Sequence, residues 1–329
     1  MPALGTTALT LTDWAKRLAP DGSIDNIIEI LNQTNEIMPD VPWVEGNLPT
    51  GHRTTVRSGL PTATWRLLNY GVEPSKSTSV QVDDACGMLE AYSEVDKDLL
   101  ALNGNSAAFR ASEDAAFIES MREEFNSTLF YGNQSTDPEE FTGLAPRFNS
   151  LSADNATNII NGSGTGSDNT SIWLIVWGER SVHGIFPKGS QAGLQVRDLG
   201  EDTKVDSGGR MHQVMRSHFQ WKCGLSVRDW RQVVRIPNIS VGGLTKTGSS
   251  GADLTDLMIR AVERVYNKNA GRAVFYCNRT VSSFLRRQMV NKSNVYLSLD
   301  ELDGKKVLNF DGIPVRRVDA ITNAETKVS

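Results

Sequence analysis

Four histidines and three cysteines are the residues of this sequence best suited to chemistry. Imidazole serves as a metal ligand or general base, and thiolate as a nucleophile or ligand. His212 and His218 stand six apart. On a strand they would share a face about 20 Å from each other, and on a helix they would diverge by about 240°, so neither conformation lets them hold one ion. His52 and His183 have no carboxylate or cysteine at ligand spacing, and no HExxH occurs. Nucleophile and phosphate motifs are also missing: there is no GxSxG elbow and no GxxxxGK[ST] loop. The stretch Gly162-Ser163-Gly164-Thr165-Gly166 imitates a glycine-rich phosphate loop, but no strand closely precedes it and no lysine follows. Paired acids, Asp83-Asp84 and Glu139-Glu140, lie in polar segments and read as solvated charge. The expectation is therefore no catalytic, cofactor-binding or metal-binding residue. One alternative stays open, a cytosolic enzyme or carbohydrate-binding protein whose histidines meet in space.

The bulk properties narrow the class. The 329 residues carry 34 basic and 39 acidic side chains, a formal charge of −5, where a protein that grips nucleic acid normally shows a basic excess. With 39% hydrophobic residues the chain can fill a core. Its longest apolar run, Ile172 to Trp177, is far short of the roughly 20 residues that cross a bilayer, so no membrane partner is expected. The first residues, MPALGTTALTLTDW, show no basic region before an apolar stretch, hence no secretory signal. Cys86, Cys223 and Cys277 stand far apart without a CxxC, which suits a reducing compartment.

The elements that would position any site can be read in order. Pro39, Pro42, Pro49, Pro61 and Pro74 force an extended, irregular window. Inside it His52–Arg57 and Thr62–Leu68 read as the strands of a hairpin turned by Ser58-Gly59-Leu60-Pro61. Its faces mix Arg53, Arg57 and Arg66 with Val56, Trp65 and Leu67, too polar to be buried on both sides. Such a hairpin is marginal alone and must lean on its own domain or on a neighbouring copy of the chain. Ala111, Ala115, Ile118, Met121, Phe125 and Leu129 recur at an average of 3.6 residues and give a long one-faced helix, capped by Ser112 and ended by Gly132. Met215, Ser217, Phe219, Trp221 and Cys223 alternate with polar residues as a long strand, with a turn at Gly224 into a second run through Ile236. Asn161–Thr170 reads as a flexible loop near a domain boundary. Asp253 caps a helix stopped by Gly271, Arg272–Cys277 is a buried strand, and Thr280 opens a short helix with Phe284 and Leu285. Asp311-Gly312 turns a final pair of strands. The class is α+β. The arginines Arg228, Arg231 and Arg235 and the doublets Arg286-Arg287 and Arg316-Arg317 are scattered, which suits pairing between subunits or weak contact with phosphate.

Three stretches, Leu129–Pro146 (LFYGNQSTDPEEFTGLAP), Trp173–Gly189 (WLIVWGERSVHGIFPKG) and Phe310–Ile321 (FDGIPVRRVDAI), resemble the major capsid proteins of tailed double-stranded DNA phages, the fold named after phage Hong Kong 97. The wording is most similar to capsid proteins of short-tailed phages of the epsilon-fifteen kind and their Bordetella phage relatives. The resemblance implies an N-terminal arm (1–38), an extended loop (39–80), a peripheral domain with spine helix and long strands (81–148 and 200–245) and an axial domain (149–199 and 246–329). It implies a structural, non-enzymatic subunit that builds hexamers and pentamers of an icosahedral shell around the genome. The partners implied are further copies of the chain, a cement or decoration protein, a scaffold, a portal, and sequence-blind contact with packaged DNA. The place implied is the virion capsid, assembled in the host bacterial cytoplasm. On this resemblance His52, Arg53, Val56, Arg57, Leu60, Trp65 and Arg66 become contacts to the adjacent subunit. Some family members cross-link through a lysine in this loop. The tip here, Ser58-Gly59-Leu60-Pro61, is flanked by arginines, so non-covalent or cement-protein support is expected instead. With residues 1–38 alone before the loop, any scaffold is expected to be a separate chain.

Overall fold

Strand β4 (Asn169–Trp177) shows best why this sequence folds as it does. Its odd residues Trp173, Ile175 and Trp177 pack into one apolar cluster, and its even residues Ile172, Leu174 and Val176 into another. A strand buried on both faces needs no polar alternation, which accounts for the unbroken apolar run. The computed structural model describes residues 9, 35–102, 106–206, 208–245, 251–291, 297–302 and 305–329. The expected N-terminal arm, apart from Leu9 and residues 35–38, lies outside the described residues.

The remaining strands are β1 (Trp43–Glu45), β2 (Gly51–Gly59), β3 (Thr78–Asp96), β5 (Val182–Phe186), β6 (Gln195–Val205), β7 (Met211–Val227), β8 (Val233–Ser240), β9 (Arg272–Cys277), β10 (Leu297–Leu302), β11 (Lys305–Phe310) and β12 (Ile313–Arg317). The helices are α1 (Lys97–Ala101), α2 (Ser106–Tyr131), α3 (Leu144–Arg147), α4 (Leu254–Arg264) and α5 (Arg279–Asn291). Hydrogen bonds link the strands in the order β10-β11-β12-β9-β4-β5-β7-β3-β2, with β1 beside β5, β6 beside β7 and β8 beside β4. Helix α2 covers one face through Met121, Phe125 and Leu129, and Phe125 stacks on Trp221 at 4.4 Å between ring centroids. Helices α4 and α5 cover the second cluster through Leu257, Met258, Ala261, Val281 and Leu285. Each large apolar side chain of these clusters contributes about 1.5–3 kcal/mol when fully buried.

Several expectations are met. Asp253 caps α4 by accepting from the Thr255 and Asp256 amides. Asp311 (φ 50°) and Gly312 (φ 73°) form the turn between β11 and β12. Gly132 ends α2, its amide bonded to the Thr128 carbonyl at 2.8 Å. Others are corrected. Thr62–Leu68 is not a strand; β2 pairs instead with β3, because Pro61 and Pro74 bracket a segment that lacks a partner, while β3 continues the body sheet. Helix α2 begins at Ser106, so Ser112 lies inside it and cannot cap it. Gly224 does not turn the chain. Strand β7 runs through it, and the position holds glycine because a Cβ there would sit 2.7 Å from the Ala85 carbonyl oxygen. Helix α4 ends at Arg264, well before Gly271. The loop at Asn161–Thr170 is pinned rather than loose: the Gly162 and Gly164 amides bond the Pro237 and Asn238 carbonyls at 2.8 and 2.6 Å.

Candidate functional site

Residues 60–77 project from the end of the β2–β3 hairpin with no strand of their own. A Leu67–Tyr70 turn, with Asn69 at φ 68°, and a bond from Ser75 Oγ to the Thr62 carbonyl (2.9 Å) shape the segment. Ser58 Oγ bonds Thr78 Oγ1 at its mouth (3.0 Å). Its apolar side chains face outward. Trp65 is as exposed as in an extended chain (104%), and Leu60 (80%), Leu67, Leu68 and Tyr70 are mostly uncovered. Burying these five would release on the order of 10 kcal/mol that the isolated chain does not collect. Monomeric proteins rarely display such a patch without a partner for it.

The sequence-derived contact residues divide between tip and root. Leu60, Trp65 and Arg66 are in the projecting segment and exposed, and Arg57 is exposed on β2. Val56 is half-buried, in register with Val80. Arg53 forms a two-pronged pair with Asp83 of its own chain (2.6 and 2.7 Å), and its backbone N–H and C=O are both held by the Asn47 side chain (2.7 and 2.8 Å). His52 is turned into its own chain and buried. The expected tip, Ser58 to Pro61, belongs to the outgoing limb, so the projection is longer than expected and includes Lys76 on the return limb.

At the root, His52 and His183 meet edge to face with ring centroids 5.9 Å apart. Arg228 Nη2 lies 2.5 Å from His52 Nε2. Asp84, opposite His52 in the ladder, pairs with Arg147 Nη1 (2.8 Å) and accepts from Ser226 Oγ (2.8 Å). Two histidines thus do come together, a meeting that sequence spacing does not give. Among the described residues, however, no three His, Cys, Asp or Glu side chains are arranged to hold a metal. His218 stacks on Tyr92 (4.5 Å) beside Glu90, and His212 is exposed elsewhere on β7. Burial raises the thiols, Cys86 to about 11 and Cys277 to about 12, so they remain protonated packing groups. Of the arginines expected to reach outward, four are engaged within the chain, while Arg286 and Arg287 stay exposed on α5. Arg235 pairs with Glu325 (3.0 Å), Arg231 with Asp229, Arg316 with Asp40 and Arg317 with Asp319. The Gly162 and Gly164 amides already serve β8 and its flank, so they cannot cradle a phosphate.

The arm beyond β2 and β3 thus leaves Leu60, Trp65, Leu67, Leu68 and Tyr70 uncovered by its own chain. The family model for major capsid protein GP7 matches residues 19–329. The chain belongs to that family. No curated protein matches it. A chain of the near-atomic structure of bacteriophage Epsilon15 is 39% identical, with a TM-score of 0.79 over 100% of this chain and 99% of that one. A chain of the bacteriophage JBD30 capsid, 7% identical, aligns 89% of this chain with 93% of its own at a TM-score of 0.48. This capsid protein therefore has the Hong Kong 97 phage-like α+β fold and a structural, non-enzymatic role in a multimeric shell. The enzyme or carbohydrate-binding alternative has no support. Among the described residues no helix is long and apolar enough to cross a membrane.

Proposed function

We propose that residues 60–77 of each capsid subunit lie against the adjacent copy, so that neighbouring chains collect the burial each lacks alone. The observation that supports this most is the outward-facing cluster Leu60, Trp65, Leu67, Leu68 and Tyr70 on an arm its own body does not cover. Arg57 and Arg66 add charge to the contact; Val56 stiffens the limb, and His52 and Arg53 fix its root. Many small repeated contacts of this type close a cooperative shell.

On this reading, hexamers and pentamers form around residues 149–199 and 246–329. Residues 81–148 and 200–245 make the peripheral part, and 39–80 the clasp. Two strands span these divisions: β3 joins the clasp to the peripheral part, and β6 crosses the 199/200 boundary. A cement protein, a scaffold, a portal and weak sequence-blind contact with packaged DNA complete the partners, with assembly in the host cytoplasm. The test joins Gly59 to Thr78 by a two-residue turn in place of residues 60–77. The shortened chain should keep its far-ultraviolet circular dichroism and unfolding transition yet form no particles by electron microscopy. Normal particles would overturn the overlap.

A further inference from the structure

The root of the projecting arm joins charges and neutral imidazoles in an unusual ratio. Around His52 stand Asp84 from β3, His183 from β5, Arg228 just beyond β7, and, across Asp84, Arg147 from α3. With both imidazoles neutral, two guanidiniums face one carboxylate. Each proton added to a histidine there adds a positive charge beside Arg228, and the cluster's carboxylate, Asp84, is already paired with Arg147. Ser226, the Asn47 amide and the Gly178 backbone are also in contact; none carries a charge, and Gly178 opposes only part of the fall in His183. We propose that this cluster is an acid-sensitive hinge: protonation of His52 and His183 loosens the pairing of Gly51–Thr55 with β3 and frees the arm to change its angle. The proposal rests on the reading of residues 60–77 as an intersubunit contact only for its consequence, that acid would loosen one copy from the next.

The sign follows from the surroundings. His183 is fully buried, and burial, then Arg228, then His52 push its pKa from 6.5 down to about 4. Burial and Arg228 also lower His52, with Asp84 opposing them. A histidine whose native pKa is depressed stays neutral in the folded root while the opened root takes up its proton. The His183 share of the root's stability is therefore full above pH 6.5 and falls by up to about tenfold per pH unit as pH drops from 6.5 towards 4, and His52 adds to the loss in the same direction.

Hydrogen exchange on the unassembled chain tests this between pH 7 and pH 4, corrected for the intrinsic rate. Protection of amides 51–55 and 83–87 should fall at least tenfold over that range while Ile172–Val176 keep theirs. His52→Gln can still accept from the Asn47 amide but cannot gain a charge, and it should flatten a large part of the fall. Equal loss at the root and in β4, or an unchanged profile in His52→Gln, would overturn the hinge. If that variant does not fold, histidine titration by NMR decides on the wild-type chain. His183 must titrate well below 6.5, in step with the loss of protection, and titration at or above 6.5 would overturn it. Exchange is read without assembly, so particles that tolerate loss of residues 60–77 would remove the intersubunit reading and leave this result standing.

Discussion

Two irregular segments of this capsid protein, residues 60–77 and residues 322–329, have opposite fates. The second is finished within the chain. The Glu325 amide bonds the Asn169 carbonyl, and its carboxylate meets Arg235, Tyr131 and Ser171 in the interior. Asn238 grips both backbone groups of Val328 at 2.8 Å. Arg235 in turn lies 4.9 Å over the Trp173 ring and donates to the Phe148 carbonyl. The first segment has the apolar residues and little of its own chain to cover them. The contrast shows that irregular backbone is not a sign of incompleteness; unmet burial is.

Three substitutions separate the covered segment from the uncovered one. Glu325→Gln leaves Arg235, 4% exposed, without its counter-charge, and should cost about 3–5 kcal/mol. Calorimetry should show Tm lower by roughly 5 °C; a loss under about 1 kcal/mol would mean that the strap is ornamental. Trp65→Ala should change the stability of the isolated chain by no more than about 0.5 kcal/mol, since nothing in the chain covers the ring. The concentration at which particles appear by light scattering should nevertheless rise about tenfold or more, because every interface in the shell would then bury one indole fewer. Destabilisation of the free chain would place the ring in its own body after all. Asn47→Ala unmakes two bonds to the Arg53 backbone and should cost about 1–2 kcal/mol, read as faster hydrogen exchange at Arg53 with β4 unaffected.

Much of the body was legible because its side chains answer to a local rule. The Asp253 cap, the Asp311-Gly312 turn and the alternation of Ser217, Phe219, Trp221 and Cys223 are set by neighbours in sequence. The arm was legible in kind and not in detail. Thr62–Leu68 has the composition of a strand, yet strand formation needs a partner edge, and that edge went to β3. In β3 itself Leu89, Ala91, Ser93 and Val95 face the core while Met88, Glu90 and Tyr92 face out, a period-2 signal diluted by alanine, serine and glycine. The face of α2 was right for Met121, Phe125 and Leu129 and failed at Ala111, Ala115 and Ile118, which are exposed. There Phe109 and Phe117 turn inward instead, Phe117 stacking on Phe219. Long-range pairs such as His52 with His183 or Glu325 with Arg235 leave no spacing to read.

Strand β3 is one uninterrupted element of 19 residues, about 60 Å long, from the mouth of the projecting segment to the far end of the sheet. Its ladder with β7 keeps register from Cys86 opposite Gly224 to Asp96 opposite Val214. Antiparallel hydrogen bonds lie across the strand axis. Tension drawn along the arm is therefore taken up in shear by all of those rungs together, whereas a sideways pull would open them one at a time. The arm is mounted like a tendon, strong along its length and compliant only where it bends.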